Sequence, residues 1–307
     1  MFKLAHLSDV HLGPLPPASL RQLAGKRFIG LLSWKYRRRG IHNMDVLNRL
    51  VTDIKQAGVD HIAFTGDLAN ISLPEEFSQG QRWLLELGKA DRVSFVPGNH
   101  DTYVKFPWVD GLARWGDYMV GDLNMPGVRM SGNVAALFPY VRQRRNVALI
   151  GVSSAVPAPW NKAWGYVGER QLEALGETLK KLHKQGFYRI VMIHHPPLPL
   201  LAKDRKALRD CHELKEVLEK CGAELVLHGH NHEHMHNQLE TVNGMAHIIG
   251  VPSASAIKTE KKPAAAWYQF AIERRGGAWR NNMTIRSLSD DGAEMVTQSH
   301  LCLDRND

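Results

Sequence analysis

Five short apolar runs in this chain each end on side chains that can bind a metal ion, and few folds tolerate that coincidence. Leu4–Leu7 leads to Asp9 and His11, His61–Thr65 to Gly66-Asp67, and Val93–Val96 to Gly98-Asn99-His100-Asp101. Arg189–Ile193 leads to His194-His195, and Leu225–Leu227 to His228-Gly229-His230-Asn231-His232. Such runs, bounded by turn residues, read as strands. In open α/β sheets, ligands bind beyond the carboxyl ends of strands, so these five ends are expected to converge on one site. Val147–Val152 and Ala246–Gly250 add strands, and Trp267–Glu273 and Met283–Leu288 add two in the tail. Helical patterns fall at Met44–Ala57 (closed by Gly58), Pro74–Leu87, Gly168–Gln185 and Lys206–Lys220. The alternation predicts an α/β layered fold with sheet at its centre. No repeat or flexible linker interrupts it, so residues 1–307 are expected to form a single domain. Its core would span 1–255 with a basic helical insertion at about 14–43, and 256–307 would supply strands completing the second sheet.

The donor set suits two ions. Asp9 and His11 are two residues apart at a strand end and can point the same way. Asp67 follows a glycine and can bridge two ions with its two oxygens, Asn99 offers an amide oxygen, and His194, His230 and His232 offer imidazoles. Each ion would receive about four protein ligands, with water completing the shell. Cys211, Cys221 and Cys302 are scattered, which argues against a disulfide framework or a thiolate zinc site. Mixed nitrogen and oxygen ligation without thiolate suits Mn, Fe, Zn or Co. Two dications, offset by Asp9, Asp67 and a bridging hydroxide, leave a site of roughly +1 that attracts an anionic phosphate ester.

In this order Asp9-Val10-His11, Gly66-Asp67, Gly98-Asn99-His100-Asp101, His194 and Gly229-His230-Asn231-His232 resemble the calcineurin-like metallophosphoesterase superfamily. The resemblance runs from about residue 3 to 232, with a looser match through Val251-Pro252-Ser253. It implies a four-layer αββα sandwich with a dinuclear centre of two divalent or trivalent transition-metal ions at the strand ends. Asp9, His11, Asp67 and His232 would hold the first ion; Asp67, Asn99, His194 and His230 would hold the second. His100 would protonate the departing alkoxide and Asp101 would orient it, while His195 and Asn99 would contact the substrate. His228, His234 and His236 are expected at the surface or behind the ligands, and His247 either packs or bonds a ligand.

The forms His194-His195-Pro196-Pro197 and Gly229-His230-Asn231-His232 resemble bacterial cyclic-nucleotide and glycerophosphodiester phosphodiesterases most closely. The expected activity is therefore hydrolysis of a small or lipid-linked phosphodiester by metal-bridging hydroxide. Three rivals stand beside it. One is a membrane-surface hydrolase of phospholipids or nucleotide-linked lipid pyrophosphates. Another is a DNA nuclease, which Ser8-Asp9-Val10-His11-Leu12-Gly13 resembles but which lacks an obvious capping domain here. The third is a non-catalytic scaffold, against which stands the retention of all seven ligand positions.

The net charge of +8 does not point to nucleic acid once it is located. Between Pro14 and Asn43 lie Arg21, Lys26, Arg27, Lys35, Arg37, Arg38 and Arg39 and no acid, which leaves +1 for the rest of the chain. Leu20, Leu23, Ala24, Phe28, Leu31 and Trp34 share a helical face there, although Gly25 and Gly30 weaken a helix. Lying between two ligand motifs, residues 20–39 are expected to overhang the site. They would act as a packed lid or by touching anionic lipid through Trp34, Lys35 and Arg37–Arg39, with contact to a nucleic-acid backbone as a third alternative. No run of about 18 apolar residues is present, and the N-terminus enters a strand without a cleavable apolar leader. A cytoplasmic location, peripheral to the membrane at most, is the expectation.

Overall fold

The computed structural model describes residues 1–122 and 137–303. In chain order the strands are β1 (Phe2–Leu7), β2 (His61–Phe64), β3 (Val93–Phe95), β4 (Tyr140–Arg144), β5 (Val147–Gly151) and β6 (Tyr188–Met192). They continue as β7 (Leu225–His228), β8 (Met235–Thr241), β9 (Gly244–Gly250), β10 (Ala266–Arg275), β11 (Ala278–Leu288) and β12 (Met295–Cys302). The helices are α1 (Lys26–Tyr36), α2 (Met44–Gln56), α3 (Pro74–Leu87), α4 (Glu169–Lys184) and α5 (Cys211–Cys221). Two six-stranded sheets result, ordered β12-β11-β10-β1-β2-β3 and β4-β5-β6-β7-β9-β8. Strands β1, β2 and β3 run parallel in one, and β5, β6, β7 and β9 run parallel in the other.

Side-chain alternation along the parallel strands explains the layers. In the second sheet Leu149, Ile190, Leu225 and Ile249 join the same apolar cluster as Leu4, Leu7 and Phe64 of the first sheet. Their neighbours Ile150, Val191, Val226 and Ile248 join a separate cluster with Leu175, Leu179, Leu214 and Leu218 of α4 and α5. Leu47, Leu50 and Ile54 of α2 and Phe77 and Leu84 of α3 cover the first sheet. Strands buried on both faces read as predominantly apolar runs for this reason. The architecture is the expected αββα sandwich. Each fully buried Leu, Ile or Phe contributes on the order of 1.5–3 kcal/mol, so these two clusters dominate stability.

The structure corrects the sequence reading at four places. The tail strands do not complete the second sheet; β10 pairs antiparallel with β1 and extends the first. β4, β8 and β12 were not anticipated. All three lie at sheet edges, where residues such as Glu240 and Gln298 face solvent and no continuous apolar run forms. The helix expected from Lys206 begins only at Cys211, because the Asp210 carboxylate instead accepts the backbone N–H groups of Val167 and Gly168. Finally, α1 starts after Gly25, whose φ of 71° lies in the left-handed region, so Leu20 and Leu23 are not part of it.

Candidate metal centre

Each expected ligand sits just beyond a parallel strand, and the backbone there is bent sharply. Asp9, His11, Asp67, His230 and His232 all have positive φ, between 46° and 69°. Non-glycine residues in this region are uncommon and cost energy, and they cluster at functional sites. Neighbouring glycines permit the crowding. A Cβ on Gly229 would collide with Ser8 Oγ and Asp9 Oδ2, and one on Gly98 with Asp67 Oδ1.

Second bonds fix how the imidazoles are presented. His194 donates from Nδ1 to Thr65 O (2.6 Å), and His11 donates from Nδ1 to Ala69 O (3.3 Å), so each turns a bare Nε2 inward. His230 is reversed: Nε2–H donates to Lys206 O (3.0 Å) and Nδ1 faces the centre. Carbonyl partners of this kind set tautomer and ring direction at metal sites. The inward atoms then crowd one another. His11 Nε2 lies 3.4 Å from His232 Nε2, His230 Nδ1 lies 3.3 Å from His194 Nε2, and Asn99 Oδ1 lies 3.2 Å from His194 Nε2. Asp67 Oδ2 is 3.4 Å from His194 Nε2 and 3.8 Å from His11 Nε2, a central position.

Lone pairs facing lone pairs repel unless a cation lies among them. Asp9 Oδ1 is buried without a hydrogen bond of proper geometry, although His232 Nε2 stands 3.1 Å away. Two sets of donors converge closely enough for one ion each: Asp9, His11 and His232, and Asp67, His194 and His230. The seven residues singled out in the sequence are thus gathered in one place, and the donor chemistry fits a pair of transition-metal ions.

His100 joins His11 and Asp67 in a third such group. Its N–H donates to Asp67 Oδ1 (2.7 Å), its ring stands edge-on to His11 with centroids 4.9 Å apart, and it stacks on Tyr103. Nδ1–H donates to Asn70 O, which leaves Nε2 unprotonated, with Arg38 Nη1 3.4 Å from it. Burial first, and the Arg38 guanidinium second, push the His100 pKa down to about 3, so the ring is neutral without substrate.

Two expected roles are not what the geometry shows. Asp101 does not orient the His100 ring. Its carboxylate accepts four backbone N–H groups, from Asp67 and Leu68 (2.9 Å each) and from Ala69 and Gly98 (2.8 Å each), and so ties together the two loops that carry Asp67 and Asn99. His195 is fully buried, and both ring nitrogens are engaged, Nδ1 accepting from Ser154 Oγ (2.7 Å) and Nε2–H donating to Ala163 O (3.2 Å). No nitrogen is left for a substrate, and the ring instead packs on His230 at 4.4 Å. His228 is buried behind the centre, whereas His234 bonds Tyr268 and His236 bonds His247 away from it.

Three residues at the site were not anticipated as such. His42 bonds Ser255 Oγ (2.8 Å) and lies 4.6 Å from the His11 ring, with Trp34 stacked on its other side. Trp34 and Arg38 therefore face inward rather than toward lipid. They belong to a run of basic and apolar residues whose spacing alone does not say which ones turn in.

A family model described as calcineurin-like phosphoesterase matches residues 2–234. The chain is similar to the 3',5'-cyclic adenosine monophosphate phosphodiesterase CpdA of Haemophilus influenzae, 26% identical over 67% of this chain and 68% of that protein. A probable cyclic nucleotide phosphodiesterase of Synechococcus is 23% identical over 91% of each chain. Among solved structures, a dimetal phosphatase from Danio rerio superposes with a TM-score of 0.64 at 14% identity, covering 99% of both chains, a likeness of fold.

Proposed function

Because the chain belongs to the calcineurin-like phosphoesterase family and is a metal-dependent hydrolase of phosphate esters, we propose that it cleaves a phosphodiester. The observation that carries this reading is the set of bare, converging donors around Asp67 Oδ2. Asp9, His11, His232 and Asp67 would hold one ion, and Asp67, Asn99, His194 and His230 the other. When bound, such a pair supplies a water acidic enough to ionise near neutral pH and a counter-charge for the phosphoryl oxygens. The protein's own part is positioning. Thr65, Ala69 and Lys206 carbonyls aim the imidazoles, and the Asp101 clamp holds Asp67 against Asn99. His100 would present Nε2 toward the leaving oxygen; an arriving anion raises its proton affinity, so that Nε2 can take up a proton from solvent and then pass it to that oxygen. Likeness to cyclic nucleotide phosphodiesterases favours a diester over a monoester.

With manganese-loaded protein, bis-p-nitrophenyl phosphate should turn over faster than p-nitrophenyl phosphate, and Asp67→Ala and Asn99→Ala should abolish both activities. Unchanged turnover by both variants in metal-free buffer would refute the mechanism; preference for the monoester would refute the substrate class.

A second reading concerns residues 20–39. Helix α1 leaves Phe28, Ile29, Leu32 and Tyr36 exposed beside the exposed cations Lys35, Arg37 and Arg39. Trp160 and Leu200, on loops at the same carboxyl-terminal end of the sheets, are exposed as well. We propose that this face touches an anionic membrane, since exposed apolar side chains suit a bilayer better than a nucleic-acid backbone. Among the described residues no helix is long and apolar enough to cross one. Co-sedimentation with anionic vesicles tests the contact.

A further inference from the structure

Arg38 is a cation without a counter-charge at the edge of the metal centre. Its neighbours Arg37 and Arg39 are exposed, but Arg38 folds back under α1. Nη2 makes a long bond to Gly30 O (3.4 Å), the guanidinium lies over the Trp34 ring at 5.9 Å, and Nη1 stands 3.1 Å from His100 Nδ1 and 3.4 Å from His100 Nε2. Nδ1 cannot accept, because it already carries the proton it donates to Asn70 O, and the bond to the unprotonated Nε2 is long, so the imidazole is a weak and neutral partner for the charge. Nε is buried and has no partner.

Other inward-facing arginines are saturated. Arg27 donates to the carbonyls of Gln22, Ile71 and Ser72, Arg142 to those of Ala90, Val93, Asp117 and Val120, and Arg189 pairs with Glu224. Arg38 has no such set, and no carboxylate among the described residues lies within ion-pair distance of it. Retaining a half-buried charge beside a site that attracts two cations is unfavourable unless an anion arrives between them. A guanidinium fork matches phosphoryl oxygens in pairs.

We propose that Arg38 forms an anion subsite on the His100 side of the metal centre, taking an oxyanion of the substrate. The inference rests on the phosphodiesterase reading and adds a protein-borne contact to it. Because His100 faces the leaving oxygen in that reading, the oxyanion belongs either to the phosphoryl group being transferred or to a second charged group on the leaving side.

Arg38→Met and Arg38→Lys, loaded with manganese and checked for metal content and melting temperature, separate these cases. Inorganic phosphate and imidodiphosphate serve as competitive inhibitors of bis-p-nitrophenyl phosphate hydrolysis. Loss of a bond to a charged group predicts inhibition weakened on the order of 10- to 100-fold in Arg38→Met, with metal content unchanged. Arg38→Lys should fall between, and added guanidinium ion should restore part of the lost affinity, which a merely structural role would not allow. Weaker phosphate inhibition assigns the transferred phosphoryl group; weaker imidodiphosphate inhibition alone assigns the leaving side. Wild-type inhibition constants for both anions in a metal-replete Arg38→Met protein would overturn the subsite while leaving the hydrolase intact. Loss of metal together with activity would instead count against Arg38 as a substrate contact and for a structural role.

Discussion

Replacing Asp101 by Asn changes one atom, and the consequence can be worked from four bonds. The carboxylate takes two backbone N–H groups on each oxygen, Leu68 and Ala69 on Oδ1 and Asp67 and Gly98 on Oδ2, all at 2.8–2.9 Å. An amide keeps one acceptor oxygen and turns an NH₂ toward the other two donors. Two buried N–H groups then lose their partner, at about 1–3 kcal/mol each, or about 2–6 kcal/mol together. Total stability for a domain is about 5–15 kcal/mol, so the variant should fold but be visibly weakened. At about 2 °C per kcal/mol for a chain of this size, the melting temperature should fall by roughly 4–12 °C. Because the same bonds fix Asp67 beside Asn99, manganese affinity should drop as well. Calorimetry and metal titration of Asp101→Asn check both. A variant with native melting temperature and metal affinity but a shifted pH–rate profile would refute the clamp and restore a role for Asp101 acting on His100.

Two further outcomes follow from burial and exposure. Phe28→Ser with Leu32→Ser should lower sedimentation with phosphatidylglycerol vesicles about tenfold or more without changing hydrolysis of soluble diesters; undiminished sedimentation would remove α1 from the interface. His61 is buried, bonds Ser94 Oγ at 2.8 Å, and faces Arg92, Arg142 and Arg144, so burial first and these cations second hold its pKa well below 6.5. The unfolded chain therefore binds the proton more readily, and the neutral ring's contribution is full above pH 6.5 and lost as pH falls. Denaturant titrations of wild type and His61→Gln should converge by up to about 1.4 kcal/mol per pH unit below 6.5, and parallel pH dependences would show that His61 is not the source.

The sandwich was legible because its central strands are buried on both faces and so read as mostly apolar runs, unbroken in Val147–Gly151 and interrupted only by the buried, Glu224-paired Arg189 in Tyr188–Met192. Edge strands carry no such mark. Residues 235–241 alternate exposed and covered positions, and nothing in Met-His-Asn-Gln-Leu-Glu-Thr distinguishes a strand from a polar loop until β9 lies beside it. Which sheet the tail joins was equally hidden, since β10 fits its partner by backbone hydrogen bonds that any extended segment can offer.

The site divides along the same physical line. The seven converging side chains were legible because each lies within about four residues of a strand's carboxyl end, and the strand's direction then decides where the side chain goes. Asp101 and His195 stand beside expected donors in sequence, yet their bonds run backward into the scaffold, to N–H groups of residues 67–69 and 98 and to Ser154 and Ala163. Adjacency to a motif was therefore a poor guide to role. Arg38 shows the converse. It is one of seven basic residues spread over a segment whose charge suggests a solvated surface, and only the fold singles it out, by leaving it one long carbonyl bond and a neutral imidazole where the other inward cations find several carbonyls or a carboxylate. An unpaired buried donor is a stronger pointer to a missing ligand than charge density, because its cost is incurred in every molecule until something binds.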